Sequence, residues 1–222
     1  MHKAMRSPAF HAGPVPFTNL AYRSAMPHIV YLHGFNSSEH SAKARETAAF
    51  LEQRGLADTF HCPRLPPHPA DAIAAATALL QRLPADTLLI GSSLGGFYAS
   101  WLAEALGLRA VLINPAVRPD RSLAAYIGPQ TNPYTGEQYT LGEADLTALR
   151  RLAVERPNAA RYWLVLGTAD EVLDWREAAR HYRGARQTVF FGDDHRLARW
   201  PECLPGVLAW AGDERREQVD ET

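Results

Sequence analysis

This sequence has few cysteines and no long apolar run, so it offers little basis for disulfides, metal clusters or membrane spans. It contains only two cysteines, Cys62 and Cys203, which lie far apart and form no C-x-x-C pair. Their spacing argues against a disulfide-rich scaffold, and His61 beside Cys62 does not make a zinc motif, so we expect two free thiols in a reducing compartment. No apolar run approaches the roughly 20 residues of a transmembrane helix, and we therefore expect no membrane span.

The sequence also lacks an excess of charge of either sign. Lys and Arg number 23 and Asp and Glu number 24, which gives a formal net charge of −1. A balance of this kind offers no electrostatic reason to bind nucleic acid or an anionic membrane. We therefore expect no nucleic-acid partner.

Acidic residues are absent from positions 1–26, which contain Lys3, Arg6, Arg23 and several prolines. The prolines interrupt any amphipathic helix, and no apolar stretch of about 7–15 residues is present to form the core of a secretory signal. We interpret residues 1–26 as a disordered extension before the folded domain.

Apolar runs alternate with helix-forming segments along the rest of the chain. The predicted strands lie at 28–32, 57–63, 87–91, 109–114, 161–167 and 186–192, and the predicted helices at 41–55, 69–84, 94–107, 174–184 and 201–212. This alternation is typical of a mostly parallel sheet, here of about six strands, with helices on both faces. We predict one α/β domain at 27–212. Residues 115–158 are long for a connection and are predicted to form a small cap, and residues 213–222 a charged, frayed tail.

Ser93 lies at the centre of the pentapeptide G-S-S-L-G, between an apolar strand and a helix. The pattern G-x-S-x-G in this setting is typical of the nucleophile elbow of α/β-hydrolases, a tight turn whose neighbours must be small, as Gly91 and Gly95 are. Ser92 is off the centre of the motif, and we interpret it as structural. The alternative is a glycine-rich turn that only packs the helix against the sheet.

A serine nucleophile needs a base and an acid that orients the base, and in α/β-hydrolases these follow the serine in the order acid, histidine. Asp170 is the first acid after the fifth predicted strand, and His195 follows the sixth. Glu171 and Asp174 are alternatives for the acid, although Asp174 is placed to cap the next helix. This order predicts a catalytic triad of Ser93, Asp170 and His195 on an α/β-hydrolase fold.

Two backbone N–H groups are candidates for the oxyanion hole. The N–H of Leu94 lies in the first turn of a helix, where it has no intrahelical acceptor. The second donor should come from the loop after the first strand, and the sequence H-G-F places Phe35 there. Gly34 allows the backbone to come close to the substrate, and we interpret His33 as bracing the loop without transferring protons.

Several motifs together resemble those of the YqiA-type esterases, a family of small bacterial α/β-hydrolases. They are Y-L-H-G-F-N-S-S at 31–38, G-S-S-L-G-G at 91–96, N-P-A-V-R-P at 114–119, N-P-Y-T-G at 132–136, D-E-V-L-D at 170–174, and the segment 186–195 that ends in histidine. The resemblance covers residues 27–212. The chain departs from the family in its N-terminal extension and in having G-D-D-H where the family tends to have G-G-H.

The resemblance implies the triad Ser93–Asp170–His195, an esterase or acyl-CoA thioesterase activity, and a bacterial cytoplasmic location. We therefore predict a serine hydrolase that forms an acyl-enzyme on Ser93, with a small acyl ester or acyl-CoA as substrate and with no metal or organic cofactor. The alternatives are a serine peptidase or C–C hydrolase on the same scaffold, or a catalytically silent binding module. In the cap, Tyr134 and Tyr139 either face the substrate or simply pack.

Overall fold

The computed structural model describes residues 26–220, with side chains described as far as residue 212. The described part contains eight strands: β1 (Ile29–Leu32), β2 (Phe60–His61), β3 (Leu88–Ser92), β4 (Arg109–Ile113), β5 (Gly128–Thr131), β6 (Gln138–Leu141), β7 (Tyr162–Gly167) and β8 (Arg186–Phe190). Its seven α-helices are α1 (Ala42–Glu52), α2 (Pro69–Leu80), α3 (Leu94–Leu106), α4 (Pro119–Ser122), α5 (Glu143–Arg151), α6 (Trp175–His181) and α7 (Trp200–Asp220). Residues 1–25 of the predicted extension lie outside the described residues.

Six of the strands form one sheet in the order β2–β1–β3–β4–β7–β8, and every neighbouring pair in it is parallel. The chain runs from β1 outward to β2 and then returns to the other side of β1 as β3. Loops that leave β1 and β3 therefore diverge, and a crevice forms at the carboxyl ends of these strands. The predicted parallel sheet of six strands is confirmed.

Side chains of the strands alternate between two apolar cores. Val30 and Leu32 contribute to a core that is covered mainly by α2, α3 and α5, whereas Ile29 and Tyr31 contribute to the core beneath α1 and α7. Both faces of the sheet are thus buried under helices, as predicted from the nearly continuous apolar strands. The sheet provides a rigid platform for the loops at its carboxyl edge.

Several predicted boundaries differ from the structure, and the helices predicted at 41–55, 69–84 and 174–184 end three or four residues early. Only Phe60–His61 of the strand predicted at 57–63 pairs with β1, because both the N–H and the hydroxyl of Thr59 donate to the Leu56 carbonyl and close a 3₁₀ turn. Pro63, which has no N–H, cannot extend the ladder. Met26, assigned above to the extension, is buried in the core beneath α1 and α7. The last helix continues past the predicted end at 212 to residue 220.

The segment 115–158 contains α4, an antiparallel hairpin made by β5 and β6, and α5. No strand was predicted in this segment from the sequence. The hairpin is additional, and its strands pair with each other and not with the parallel sheet. Among the described residues, no helix combines the length and the apolar character that crossing a bilayer requires.

Candidate active site

Ser93 lies on a strained turn between β3 and α3. Its backbone has φ 56° and ψ −121°, a conformation that residues with a side chain rarely adopt. Neighbouring bonds hold it there, since the Ser93 N–H donates to the Ile113 carbonyl and the Ser93 carbonyl accepts from Ala116 N–H, at 2.9 and 3.1 Å. This is the geometry expected of a nucleophile elbow.

The glycines beside Ser93 are required by close backbone contacts. A Cβ atom on Gly95 would overlap the carbonyl oxygen of Leu32, and one on Gly91 would overlap the carbonyl oxygen of Gly95. The loop after β1 approaches from the other side, because a Cβ on Gly34 would lie 3.2 Å from Ser93 Cβ and 3.7 Å from its Oγ. The small residues of both motifs therefore allow β1, β3 and α3 to meet at this serine.

The N–H groups of Leu94 and Phe35 border the Ser93 turn. Leu94 begins α3, and Phe35 follows Gly34 in the loop that contacts Ser93. Neither N–H has a hydrogen-bond acceptor among the described residues. Both donors are therefore available to an oxygen atom bound next to Ser93.

Asp170 and His195 come together after β7 and β8. His195 Nδ1 lies 2.8 Å from Asp170 Oδ2, and the Asp170 side chain is 1% exposed. The other carboxylate oxygen of Asp170 accepts the N–H groups of Val172 and Leu173 at 2.9 and 2.8 Å. Because a carboxylate accepts and does not donate, His195 carries its proton on Nδ1, and Nε2 is left as an acceptor.

The two alternative acids have other roles. Glu171 Oε2 accepts the backbone N–H of His195 at 3.1 Å, so it supports the same loop from outside. Asp174 accepts the Arg176 N–H at 3.0 Å and caps α6, as expected from its position. Asp170 is therefore the acid that contacts the imidazole.

Asn114 supports the histidine loop, a role that the sequence motifs did not predict. This buried residue directly follows β4 with φ 40°, and its Oδ1 accepts the Gly167 N–H at 2.8 Å. Its Nδ2 lies 3.2 Å from the carbonyl oxygens of both Asp194 and His195. The sequence feature that could have identified Asn114 is its place as a polar residue between a buried apolar strand and a proline. Asn114 connects the ends of β4 and β7 to the loop of His195.

Ser93 and His195 line one cavity of about 470 Å³ at the carboxyl edge of the sheet. The predicted triad members are thus gathered at one edge, with Asp170 behind the imidazole. The Ser93 hydroxyl has no hydrogen-bond partner among the described residues, so the serine–histidine bond itself is not formed in this structure. Catalytic hydrogen bonds often tighten only when substrate is bound.

The β5–β6 hairpin is joined to the loop that presents Phe35. Asn132 Nδ2 donates to the Ser37 carbonyl at 2.8 Å, and the Tyr139 hydroxyl donates to Asn36 Oδ1 at 2.8 Å. Burial raises the pKa of Tyr139 to about 12, which keeps this hydroxyl protonated as the donor. Of the two candidate tyrosines, Tyr139 therefore braces the loop, whereas Tyr134 is 58% exposed and lines the cavity.

His33 braces the same loop from below. Its Nε2 accepts the Leu65 N–H at 3.1 Å, and its Nδ1 lies 3.1 Å from the Gly34 carbonyl oxygen. These partners fix the neutral tautomer with the proton on Nδ1. Burial also lowers the pKa of His33, so burial and the hydrogen bonds both favour the neutral imidazole.

The cysteines are free, as expected from their spacing, and Cys203 is buried. Burial raises the pKa of Cys62 to about 12 and that of Cys203 to about 11. Within the described part of the chain, no cluster of three or more His, Cys, Asp or Glu side chains could hold a metal ion.

The strand order and the strained serine turn together define an α/β-hydrolase fold. The family model described as "Uncharacterised protein family (UPF0227)" matches residues 28–211, and the chain belongs to this family. It is the YqiA-type family, so the resemblance drawn from the motifs is confirmed.

Solved structures of the same fold are similar to this chain at low identity. The mouse protein "Alpha/beta hydrolase domain-containing protein 10" is 17% identical with a TM-score of 0.65, over 87% of this chain and 90% of that one. Est1E from Butyrivibrio proteoclasticus is 16% identical with a TM-score of 0.60, over 88% and 89%. A monoacylglycerol lipase from Paleococcus ferrophilus is 17% identical with a TM-score of 0.60, over 83% and 93%. These similarities establish the fold.

Proposed function

We propose that this protein is a serine hydrolase that cleaves carboxylic esters or acyl-CoA thioesters through an acyl-enzyme on Ser93. The observation that carries the proposal is the contact between the buried Asp170 and His195 at the cavity that also contains Ser93. The names of the similar structures include an esterase and a lipase, which agrees with this class. The cytoplasmic location implied by the family resemblance remains part of the proposal.

The first half-reaction acylates Ser93. His195 Nε2 accepts the proton of the Ser93 hydroxyl as Oγ attacks the carbonyl carbon of the substrate, and the carbonyl π electrons move onto oxygen. The N–H groups of Leu94 and Phe35 donate to this oxyanion. When the carbon–oxygen or carbon–sulfur bond breaks, the leaving atom takes the proton from His195.

Water completes the cycle by the same steps. His195 accepts a proton from water, the hydroxide attacks the acyl carbon, and the proton is returned to Ser93 Oγ as the acid departs. Asp170 keeps the Nδ1–H tautomer in place and stabilises the imidazolium that forms in each half-reaction. Removing one oxyanion donor in enzymes of this type lowers kcat about 10²–10³-fold.

A fluorophosphonate probe tests the nucleophile directly. The wild-type protein should be labelled on Ser93, and Ser93→Ala should abolish the label and lower kcat for p-nitrophenyl butyrate by about 10⁴–10⁶-fold. Ser122→Ala, at an exposed serine away from the cavity, is the matched control and should keep both labelling and rate. Undiminished hydrolysis by Ser93→Ala would contradict the proposal.

The alternatives give different substrate profiles. p-Nitrophenyl esters, acyl-CoAs and aminoacyl-naphthylamides should be compared at equal enzyme concentration. The proposal expects ester or thioester cleavage to dominate, whereas strong amide cleavage with weak ester cleavage would indicate a peptidase. A binding module would give neither turnover nor labelling of Ser93.

A further inference from the structure

The 470 Å³ cavity extends from Ser93 toward the loop that follows His195. Its wall includes the continuous run Asp194–Ala198, Ser41, and the first two residues of α1, Ala42 and Lys43. In the proposed reaction His195 delivers its proton to the departing oxygen, so the leaving group must lie on the histidine side of the serine. This part of the cavity is therefore the leaving-group site, and the inference below rests on the proposed function.

The wall of this site contains a buried hydroxyl that has no well-formed hydrogen bond. Ser41 precedes α1, yet its side chain does not cap the helix, and its Oγ is buried facing the Tyr31 hydroxyl without a hydrogen bond of good geometry to it. A buried hydroxyl without a partner is unfavourable, and such groups usually meet a ligand or an ordered water. The almost fully buried Tyr31 lines the same space, and burial raises the pKa of its hydroxyl, which therefore remains protonated.

Charges on the wall of the site balance. Lys43 and Arg196 are cationic, and Glu46 and Asp194 are anionic. Lys43 Nζ donates to the Arg196 carbonyl at 2.7 Å, which uses one of its three N–H groups. Asp194 Oδ1 accepts the Arg196 backbone N–H at 2.9 Å, and no ion pair joins these four side chains within the described residues. The site therefore offers spare donors and spare acceptors side by side, with no net charge.

We propose that this cavity binds a neutral polyhydroxyl leaving group, such as a glycerol or sugar unit, and that Ser41 and Lys43 determine this specificity. An anionic group would lie against Glu46 and Asp194, and a cationic group against Lys43 and Arg196. An alkyl group would leave the Ser41 hydroxyl and the spare Lys43 donors without partners. A polyol can donate to the carboxylates and accept from the ammonium and the hydroxyl, and the cavity volume suits a small molecule of this kind.

A series of butyrate esters with one acyl group and different alcohols tests the proposal. The alcohols are glycerol (neutral polyol), n-butanol (alkyl), choline (cation) and 3-hydroxypropanoate (anion), and kcat/KM is measured for each. We expect the glyceryl ester to be preferred at least tenfold over the other three. The acyl group is constant, and dividing each kcat/KM by the hydroxide-catalysed hydrolysis rate of the same ester corrects for leaving-group reactivity, so the corrected ratios isolate the alcohol site.

Two variants connect the preference to the residues. Ser41→Ala should lower the ratio of glyceryl to n-butyl kcat/KM about threefold to tenfold, and Lys43→Met should lower it by tenfold or more. Lys43 also holds the loop of His195, but an effect of that kind changes both esters and cancels in the ratio. Arg45→Met, at an exposed position of α1, is the control and should keep the ratio of the wild type.

The wild-type measurement alone can overturn the inference, whatever the variants do to folding. Equal or better cleavage of the n-butyl, choline or 3-hydroxypropanoate ester would overturn it, and so would an unchanged ratio in folded Ser41→Ala. Labelling of Ser93 together with p-nitrophenyl butyrate hydrolysis but no glyceryl preference would leave the proposed function intact. Failure of Ser93 to react, with no ester cleaved, would reject both proposals.

Discussion

Replacing Ser93 with glycine should make the protein more stable than replacing it with alanine. Both substitutions remove the hydroxyl, so the comparison isolates the backbone. At φ 56° and ψ −121° a residue with a Cβ atom is strained, and such strain is worth about 1–3 kcal/mol. Glycine adopts this conformation without strain.

The expected difference is smaller than the strain itself, because glycine also makes the unfolded chain more flexible. That effect favours alanine by about 0.4–1 kcal/mol. The glycine variant should therefore exceed the alanine variant by about 1 kcal/mol in free energy of unfolding, or roughly 2–4 °C in Tm for a chain of this size. The bonds of Ser93 to Ile113 and Ala116 keep the backbone in place, so the strain cannot relax locally.

Urea unfolding followed by circular dichroism measures the difference, and Ser92 is the internal control. Ser92 ends β3 and is not among the residues with positive φ. There the order should reverse, with glycine less stable than alanine by about 0.5–1 kcal/mol. If glycine were also the less stable residue at position 93, the turn would not be strained and the argument for an elbow at Ser93 would fail.

Three further predictions concern the site and its supports. Asp170→Asn should lower kcat for p-nitrophenyl butyrate by about 10⁴-fold with little change in KM, because the tautomer of the imidazole is no longer fixed; a loss below tenfold would exclude this role. Asn132→Ala, which frees the loop of Phe35, should lower kcat about tenfold, less than full removal of an oxyanion donor, and an unchanged kcat would mean that the hairpin does not position the loop. Burial holds the pKa of His33 in the folded protein below its ordinary value of about 6.5. Between these two pKa values, His33 is protonated in the unfolded chain but neutral in the folded protein, so the stability falls as the pH falls. The free energy of unfolding should therefore decrease between pH 7 and 5, and the slope should be reduced by His33→Gln but not by His40→Gln at an exposed position; equal slopes in both variants would contradict the effect.

The sequence predicted the features that depend on local patterns. Apolar runs predicted the strands. The order of serine, acid and histidine after three of these strands predicted Ser93, Asp170 and His195, which the structure brings together at the carboxyl edge of the sheet. Whether those residues catalyse a reaction stays a prediction, which the experiments on Ser93 and Asp170 address. The sequence favoured Asp170 as the first acid after the strand but left Glu171 and Asp174 as alternatives. Only the fold separates the acid that contacts the imidazole, Asp170, from one that contacts the backbone of His195, Glu171.

The features that the sequence did not predict depend on contacts distant along the chain. β5 reads as G-P-Q-T, which resembles a turn, and it becomes a strand only because β6 pairs with it. Asn114 acts on loops that are 53 and 81 positions away. Hydrophobic periodicity and turn-residue preferences cannot predict such contacts, because both depend only on residues that are close along the chain.

The bonds between the hairpin and the loop after β1 limit how substrate can enter. A flap that swung outward would break the contacts of Asn132 with Ser37 and of Tyr139 with Asn36, and the loop holding Phe35 would lose its supports at the same moment. Under the proposed mechanism, an outward swing of the hairpin would therefore lower activity. Tyr134 and residues 194–198 line the cavity of Ser93. Under the proposed function, the fixed width of this cavity, and not a closing motion, would therefore decide which molecules reach the serine.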